Sequence, residues 1–270
     1  MKVIVQKYGG TSVGTVQKIC KIAERIKKIK SESFGLVVVV SAMGNMTDEL
    51  IAKAREISVD PDKRELDMLL STGERIAMTL MSMALNDIGL KATSLTGSQC
   101  GIITDDVHTR ARIIQIKASR IIKELHQGKI VIVAGFQGVS GNNEVTTLGR
   151  GGSDTTAVAL AIALGAERCE INTDVIGILS ADPNLVDHPN FIKEIDFDRM
   201  LDMAHFGASV IHPRAVELAR RFNINLCIRS THEDGDGTNI CGLSSISEYS
   251  KSDERGTNME RSRVELVSRD

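Results

Sequence analysis

The sequence predicts an α/β fold in which a mostly parallel sheet is covered by helices on both faces. Short runs rich in β-branched residues alternate with longer segments of helical periodicity, which favours this class. The run at 36–40 is continuously apolar, as is typical of a central parallel strand. Glycine-rich loops follow several of these runs. We therefore expect a three-layer αβα sandwich with an open sheet and its loops gathered at one edge.

The first half of the chain alternates strands and helices. We predict strands over 2–6, 36–40, 91–95 and 130–135, and helices over 15–30, 48–58, 63–87 and 110–126. The first helix has apolar residues at helical spacing, so one of its sides should face the sheet. Pro61 separates the second helix from the third, and the segment 96–109 is predicted to be a loop or a short hairpin.

The second half continues the alternation and ends in polar sequence. We predict helices over 155–164, 197–206 and 212–222, and strands over 169–172 and 225–229. The segment 173–183 contains two acidic residues, a glycine and a proline, and is expected to be a structured loop. After Ser230 the chain turns polar with little apolar periodicity, so residues 241–270 are interpreted as a tail that is disordered in part.

Composition and charge exclude several classes of protein. The 270 residues carry a net charge of −2, without the basic excess of a nucleic-acid binder. No apolar run reaches the length of a membrane span, and the N-terminus has no signal-peptide pattern. The five cysteines are scattered, and the six histidines show no metal-binding spacing. We expect a cytoplasmic protein with reduced cysteines that binds no nucleic acid, no membrane and no structural metal.

The stretch LGRGGSDTTA at 148–157 is the strongest candidate for chemistry. Its glycines let backbone N–H groups approach a ligand, and the helix that follows offers unpaired N–H donors to an anion. Arg150 adds a planar fork that can hold a carboxylate through two hydrogen bonds. Asp154 has two interpretations, either a simple helix N-cap or a carboxylate that organises the anion site.

A second glycine-rich turn, KYGGTSVG at 7–14, follows the first predicted strand and precedes the first helix. This order is typical of a phosphate cradle, and Lys7 would project from the strand end into the same crevice. Neither the P-loop pattern nor the dinucleotide GxGxxG pattern occurs. Two anion sites in one crevice indicate two anionic ligands held together. Glu74, beside a glycine inside the helix over 63–87, is by itself best explained as an exposed helix charge.

Together these motifs resemble those of the aspartate kinases in the amino-acid kinase superfamily. VQKYGGTSVG looks like their signature, and VVVVSAMGNMTDEL, LLSTGER, LGRGGSDTTA, NTDVIGILSADP and FGASVIHPRA resemble their further blocks in the same order. The resemblance covers about residues 2–240, and the KxGGTS and GRGGSD elements together are highly specific. It implies an aspartate-binding lobe over about 1–150, a nucleotide-binding lobe over about 151–240, and the cofactors ATP and Mg²⁺.

The resemblance also implies roles for individual residues. Lys7 would contact the transferred phosphoryl group, and Asp154 would order this lysine and the magnesium region. Residues implied in binding aspartate are Ser41, Thr47, Glu74, Arg150 and Ser153, with Glu74 on the ammonium and Arg150 on the carboxylates. Residues implied in binding the nucleotide are Lys7, Gly9, Gly10, Thr173, Asp174 and Leu179.

Four positions depart from the family pattern, all in the nucleotide half. Leu179 replaces a tyrosine often found beside adenine, and Asn184 replaces an arginine. Ser209 replaces a lysine that many members carry, and Ile176 replaces an acidic residue or a proline. These departures bear on ATP affinity and nucleotide choice more than on aspartate recognition.

The resemblance predicts ATP-dependent phosphorylation of L-aspartate to 4-phospho-L-aspartate, the first step of lysine, threonine and methionine synthesis. Two alternatives stay open: a related kinase that acts on another small acid or amino acid, and a catalytically weak partner subunit. Most aspartate kinases continue into regulatory ACT domains, whose pattern this sequence does not show. We expect a homo-oligomer, with a regulatory subunit supplied in trans as a further partner to test for.

Overall fold

A computed structural model describes residues 1–30, 34–183, 185–205 and 210–242. Asn184, Ser209 and nearly all of the predicted tail over 241–270 lie outside the described residues. The helices in the described part are α1 (Val16–Ile29), α2 (Met46–Ile57), α3 (Lys63–Asp87), α4 (Ser119–His126), α5 (Gly152–Ala163), α6 (Phe197–His205) and α7 (Pro213–Phe222). The strands are β1 (Lys2–Tyr8), β2 (Phe34–Val40), β3 (Ala92–Leu95), β4 (Ile102–Thr104), β5 (Ile113–Ile116), β6 (Ile130–Ala134), β7 (Gln137–Ser140), β8 (Val145–Thr147), β9 (Arg168–Thr173), β10 (Ile178–Leu179), β11 (Phe191–Ile192), β12 (Glu194–Asp196), β13 (Leu226–Ser230) and β14 (Thr238–Cys241).

The main sheet has eight strands in the order β12-β14-β13-β9-β1-β2-β6-β3. The central strands β9, β1, β2 and β6 are parallel to one another, and the β13–β14 pair is antiparallel. In register, Lys7 pairs with Val39 of β2 on one side and with Ile171 of β9 on the other. A four-stranded sheet, β5-β4-β7-β8, and the β10–β11 pair complete the described strands. The prediction of an α/β fold with a mostly parallel sheet is confirmed.

The main sheet separates two aliphatic cores, because successive side chains of a strand point to opposite faces. On β1, Val3 and Val5 belong to the core that α4, α5, α6 and α7 cover. Ile4 and Tyr8 belong to the opposite core, which α1 and α3 cover. The predicted three-layer arrangement is therefore present. Within the described ranges, none of the helices combines the length and the apolarity needed to cross a lipid bilayer.

Local sequence explains where the two helices on the α1 face begin. Thr15 Oγ1 accepts a hydrogen bond from the Lys18 N–H at 3.2 Å and caps α1. Asp62 caps α3, because its Oδ1 accepts a hydrogen bond from the Arg64 N–H at 2.9 Å. These caps satisfy N–H groups that have no partner inside the helix. The predicted helix over 63–87 has the same bounds as α3.

The predicted helix over 110–126 is wrong in its first half. Residues Ile113–Ile116 form β5, which pairs antiparallel with β4, and α4 begins only at Ser119. Three of the four residues in β5 are isoleucines, whose branched side chains favour strands over helices. The backbone also anchors this segment to the four-stranded sheet β5-β4-β7-β8, called the small sheet below, since the Ala111 N–H donates to Thr147 O at 2.9 Å.

The sequence prediction also misses short strands in segments that it treats as loops. β7 and β8 occupy the glycine-containing segment after the strand over 130–135, with Asn143 at φ 64° in their turn. β10 lies in the predicted loop over 173–183, and β14 lies in the polar stretch that follows Ser230. Strands of two to four residues carry too little periodicity to be recognised from a single sequence.

Candidate active site

Several parallel strands end at the same edge of the main sheet. β1, β2, β6 and β9 run in one direction, so the loops that follow them meet there. Backbone hydrogen bonds join the start of two of these loops to the end of the neighbouring strand. The Ser41 N–H donates to Tyr8 O at 3.1 Å, and the Gly135 N–H donates to Val40 O at 3.0 Å. Open α/β sheets bind their ligands at an edge of this kind.

Lys7 and Asp154 form an ion pair at this edge. Lys7 lies near the end of β1 and Asp154 in the first turn of α5, with Nζ 2.7 Å from Oδ1. The two side chains are only 13% and 11% exposed, so water screens their attraction weakly. Oδ1 has no aligned hydrogen bond, and the contact is therefore ionic. Oδ2 accepts a hydrogen bond from the His212 N–H at 3.3 Å, which fixes the carboxylate from its other side.

The interpretation of Asp154 as a simple N-cap is wrong, because α5 begins before it. The N-cap is Gly151, whose φ of 69° lies in the left-handed region. Asp154 sits in the first turn instead, where the helix dipole favours a negative charge. A Cβ on Gly151 would lie 2.1 Å from Cγ of His212, so the imidazole packs directly against this loop.

The glycine-rich turn at 7–14 lies against both Lys7 and the loop after β2. A Cβ on Gly9 would lie 3.4 Å from Nζ of Lys7, and a Cβ on Gly10 would lie 2.9 Å from Ala42 O. The Gly44 N–H donates to Gly10 O at 3.0 Å. Gly10 therefore allows a backbone approach that a larger residue would block.

Glu74 is buried in the middle of α3, not exposed as the residue taken alone suggests. Its Oε1 accepts a hydrogen bond from the Ala42 N–H at 3.0 Å, while Oε2 has no hydrogen-bond partner in the described part of the chain. Burial raises the pKa of Glu74 to about 8, although hydrogen bonds from its own backbone and from Ala42 lower it in part. Glu74 thus holds the loop between Ser41 and Thr47, both half-buried, and keeps one oxygen for a cationic group.

Arg150 and Ser153 occupy the loop before α5 and its first turn. Arg150 is exposed and makes no ion pair with any residue in the described ranges. Ser153 is buried against the loop after β6, since a Cβ on Gly135 would lie 2.8 Å from its Oγ. The guanidinium is therefore available to an anion, while Ser153 packs in the first turn of α5 against the loop after β6.

Thr173 is the last residue of β9, and Asp174 follows it at the same edge. Thr173 Oγ1 donates to Asp174 Oδ1 at 3.1 Å, and the aspartate is exposed. Asn172 O, one residue before Thr173, accepts a hydrogen bond from the Gly9 N–H at 3.4 Å. This bond joins the end of β9 to the glycine-rich turn at 7–14. Thr173 and Asp174 therefore lie close to the glycine-rich turn that follows Lys7.

Leu179 lies outside this group of contacts. It is half-buried on β10, where it pairs with Phe191 of β11. Across the described residues, no hydrogen bond or ion pair connects the β10–β11 pair to Lys7 or Asp154. Ile176, another departure from the family pattern, is exposed in the loop before β10.

Two residues to which the sequence motifs assign no role, His212 and Arg214, fix the site from the α7 side. His212 Nδ1 accepts from the Arg214 N–H at 3.3 Å and caps α7, in addition to its backbone contact with Asp154. Arg214 donates from Nη1 to Leu148 O at 3.1 Å and from Nη2 to Ala111 O at 3.3 Å. Proline after the histidine, at the first helical position, is the local signal that a helix begins here.

The arrangement can hold opposite charges side by side. The Lys7 ammonium, the glycine turn and the start of α5 offer positive charge and N–H donors to an anion. The free oxygen of Glu74 suits a cation, and Arg150 can bind a carboxylate. In the described chain, no cluster of three or more His, Cys, Asp or Glu side chains could enclose a metal ion.

Comparison with known proteins gives the family of the chain. Residues 2–230 match the model of the amino acid kinase family. An aspartokinase of Bacillus sp. (strain MGA3) is 53% identical over 240 residues, which are 89% of this chain and 58% of the relative. An aspartokinase of Geobacillus stearothermophilus is also 53% identical, over 89% of this chain and 59% of the relative. The chain thus spans less than two thirds of the length of these curated relatives.

Solved structures with the same fold lead to the same family. Aspartate kinase from Synechocystis superposes with a TM-score of 0.80 at 52% identity, covering 88% of this chain and 40% of that chain. E. coli aspartokinase III in complex with aspartate and ADP superposes with a TM-score of 0.81 at 28% identity, covering 91% of this chain and 66% of that chain.

Proposed function

We propose that this chain, which belongs to the amino acid kinase family, transfers the terminal phosphoryl group of ATP to the side-chain carboxylate of L-aspartate. The products would be ADP and 4-phospho-L-aspartate. The aspartokinases that are about half identical to this chain support the choice of substrate, as does the similar E. coli protein that binds aspartate and ADP.

The observation that carries the proposal is the placement of a lysine and a buried carboxyl group against one loop. The glycine turn beside Lys7 is bonded to the loop after β2 through Gly44. The same loop is bonded to Glu74 through Ala42, and Glu74 keeps an unpartnered oxygen. A triphosphate at Lys7 and an amino acid with its ammonium at Glu74 would therefore be neighbours, as phosphoryl transfer between them requires.

The chemistry needs positioning and charge neutralisation more than proton transfer. A carboxylate nucleophile with a pKa of about 3.9 is already ionised, so no general base is needed. Its oxygen attacks the γ-phosphorus, the bond from this phosphorus to the bridging oxygen breaks, and the electron pair leaves with ADP. The main obstacle is the repulsion between a carboxylate and a triphosphate, which positive groups must offset.

Each residue of the edge has a role in this scheme. Lys7 would follow the phosphoryl group, and Asp154 would hold the lysine in place instead of acting as a base. Arg150 would hold a carboxylate of aspartate through its two N–H donors. Thr173 and Asp174 would border the nucleotide.

The residues present also fit a magnesium ion that is held mainly by phosphates and water. Mg²⁺ commonly uses one or two carboxylates together with substrate phosphates and water, so no enclosing cluster is needed. The exposed carboxylate of Asp174 follows β9, at the edge where the nucleotide would bind. When bound, the ion would supply positive charge to the phosphate oxygens.

A coupled assay for ADP release tests the proposal directly. We would incubate the chain with ATP, Mg²⁺ and, in turn, L-aspartate, L-glutamate and a panel of other amino acids and small acids. We expect ADP release with L-aspartate, and more than about tenfold slower release with Lys7→Ala. Turnover with another acid in preference to aspartate would contradict the proposal, and so would no turnover with any acid.

A further inference from the structure

Asp67 is a fully buried carboxylate on the same side of α3 as Glu74, about two helical turns before it. Its Oδ1 accepts a hydrogen bond from Thr147 Oγ1 at 2.5 Å, and its Oδ2 lies 2.7 Å from His108 Nδ1. Both oxygens are 3.1 Å from the Thr109 backbone nitrogen. One carboxylate thus joins α3 to β8 and to the loop between β4 and β5.

The loop that Asp67 holds has an unusual backbone. Thr109 has a φ of 68°, in the left-handed region that β-branched residues rarely adopt. The hydrogen bond from its N–H to Asp67 supports this conformation. The carbonyl oxygen of Thr109 lies close to the loop before α5, since a Cβ on Gly149 would lie only 3.1 Å from it. Gly149 immediately precedes Arg150.

The second contact of Asp67 leads to the same place. Thr147 is the last residue of β8, and the loop that carries Arg150 begins directly after it. Asp67 therefore restrains the loop that carries Arg150 in two ways. It holds Thr147, which directly precedes this loop, and it holds Thr109, which lies close to Gly149 of the loop. On its other side, the rigid helix α3 connects Asp67 to Glu74.

We propose that Asp67 is a positioning residue that fixes Arg150 relative to Glu74 and so sets the affinity for the amino-acid substrate. This inference rests on the proposed function, in which Glu74 binds the ammonium and Arg150 a carboxylate of aspartate. Two groups that bind opposite ends of one small molecule must keep a fixed separation, because small misplacements weaken binding and catalysis strongly.

A buried carboxylate with several partners also stabilises the fold, so a loss of stability alone would not establish positioning. Glu124 provides a matched control, because it too is buried and paired. Arg120 Nε and Lys129 Nζ lie 2.6 and 2.7 Å from its two oxygens. Lys129 immediately precedes β6, at the opposite end of that strand from the candidate site.

The test compares Asp67→Asn, Thr147→Val and Glu124→Gln by steady-state kinetics. We expect Asp67→Asn to raise the KM for aspartate by at least about fivefold while the KM for ATP changes less than about twofold. Thr147→Val should act in the same direction with a smaller effect, since it removes one of the contacts. Glu124→Gln should leave the ratio of the two KM values unchanged. An equal rise in both KM values for Asp67→Asn, or no rise in either, would overturn the inference.

A double-mutant cycle shows whether Asp67 acts through Arg150. In an Arg150→Ala background, Asp67→Asn should change the KM for aspartate by less than about twofold, because the group that it positions is gone. Effects that multiply independently in the double variant would contradict the proposal.

Amide hydrogen exchange separates a failure of this inference from a failure of the proposed function. We expect residues 148–154 to exchange faster in Asp67→Asn than in Glu124→Gln, whichever substrate the protein uses. If the wild-type chain releases no ADP with aspartate, the proposed function is wrong, yet the exchange result still tests the positioning. Equal exchange of this segment in the two variants would overturn the inference itself.

Discussion

The ammonium of Lys7 lies 2.7 Å from the carboxylate of Asp154. This contact joins the first strand of the chain to helix α5. Neither residue lies in the other's sequence neighbourhood, and parallel pairing of β1 with β9 and β2 sets the sheet edge at which they meet. The pair holds the Lys7 ammonium, which water screens only weakly, at the edge where four loops converge. A phosphoryl group is the anion that this charge suits in the proposed reaction.

Replacement of Lys7 by alanine should remove most of the activity. We expect Lys7→Ala to lower kcat by more than about tenfold, a loss of over ~1.4 kcal/mol of transition-state stabilisation. Lys2→Ala is the matched control, since Lys2 is an exposed lysine at the start of the same strand and pairs with Glu167. Coupled ADP release measures both variants. A Lys7→Ala enzyme that keeps more than about a tenth of the wild-type kcat would refute the role of this lysine.

The affinity for aspartate should depend on pH through Glu74. Burial raises the pKa of Glu74 to about 8, so in the free protein this side chain is mostly neutral at pH 7. An ammonium binds the ionised form, and kcat/KM for aspartate should therefore rise with pH by up to about tenfold per unit until about pH 8. Glu74→Gln should raise the KM for aspartate and remove this dependence. An unchanged pH profile in Glu74→Gln would assign the dependence to another group.

The raised pKa of Glu74 also predicts that the free energy of unfolding decreases as the pH rises. The folded state binds the proton of Glu74 more tightly than the unfolded state, whose pKa is near 4.5. This contribution to the free energy of unfolding is therefore complete below about pH 4.5 and is lost as the pH rises to about 8. Denaturant unfolding across this range should show a flatter pH dependence for Glu74→Gln than for wild type.

Arg150→Lys should impair aspartate binding without harming the fold. A lysine keeps the charge but cannot form the bidentate contact, so the KM for aspartate should rise by about tenfold or more. The melting temperature should stay unchanged, because Arg150 is exposed and makes no ion pair with the described residues. Arg199→Lys, which alters an exposed arginine on α6, is the control. A normal KM in Arg150→Lys would assign this residue to the phosphates or to structure.

Gly151→Ala should damage both stability and activity. The added Cβ would lie 2.1 Å from the His212 ring, and the residue has a φ of 69° that disfavours alanine. We expect a loss of more than about 2 kcal/mol in the free energy of unfolding, or roughly 4 °C or more in Tm. Gly141→Ala is the control, since no atom lies within 4 Å of its Cβ position. Equal melting temperatures for the two variants would mean that His212 moves aside without cost.

The sequence predicts the central layers of the fold well and the small sheet poorly. The run at 36–40 is apolar throughout because β2 is covered on both faces, and this pattern identifies it directly. β5 is mistaken for helix because its neighbour α4 continues the apolar pattern of 110–126 into a true helix. Its strand conformation depends on pairing with β4, a tertiary contact that no local pattern reports.

The candidate site shows the same division. The glycine motifs identify Lys7 and Arg150 because glycine and charge stand together in the chain. Glu74, taken alone, is mistaken for an exposed residue, because its burial depends on the loop that carries Ala42. Asp67 escapes notice because a lone aspartate on a helix carries no signal of its own, and its partners lie more than forty residues away.

The identity of the product tests the central claim most directly. We would run the reaction with ATP, Mg²⁺ and L-aspartate in the presence of hydroxylamine, which converts an acyl phosphate to a hydroxamate, and identify the product by mass spectrometry. The proposed function predicts aspartate β-hydroxamate in a one-to-one ratio with ADP, formed more than about tenfold more slowly by Lys7→Ala. ADP release without this hydroxamate, or a hydroxamate on the α-carboxylate, would contradict the proposed reaction.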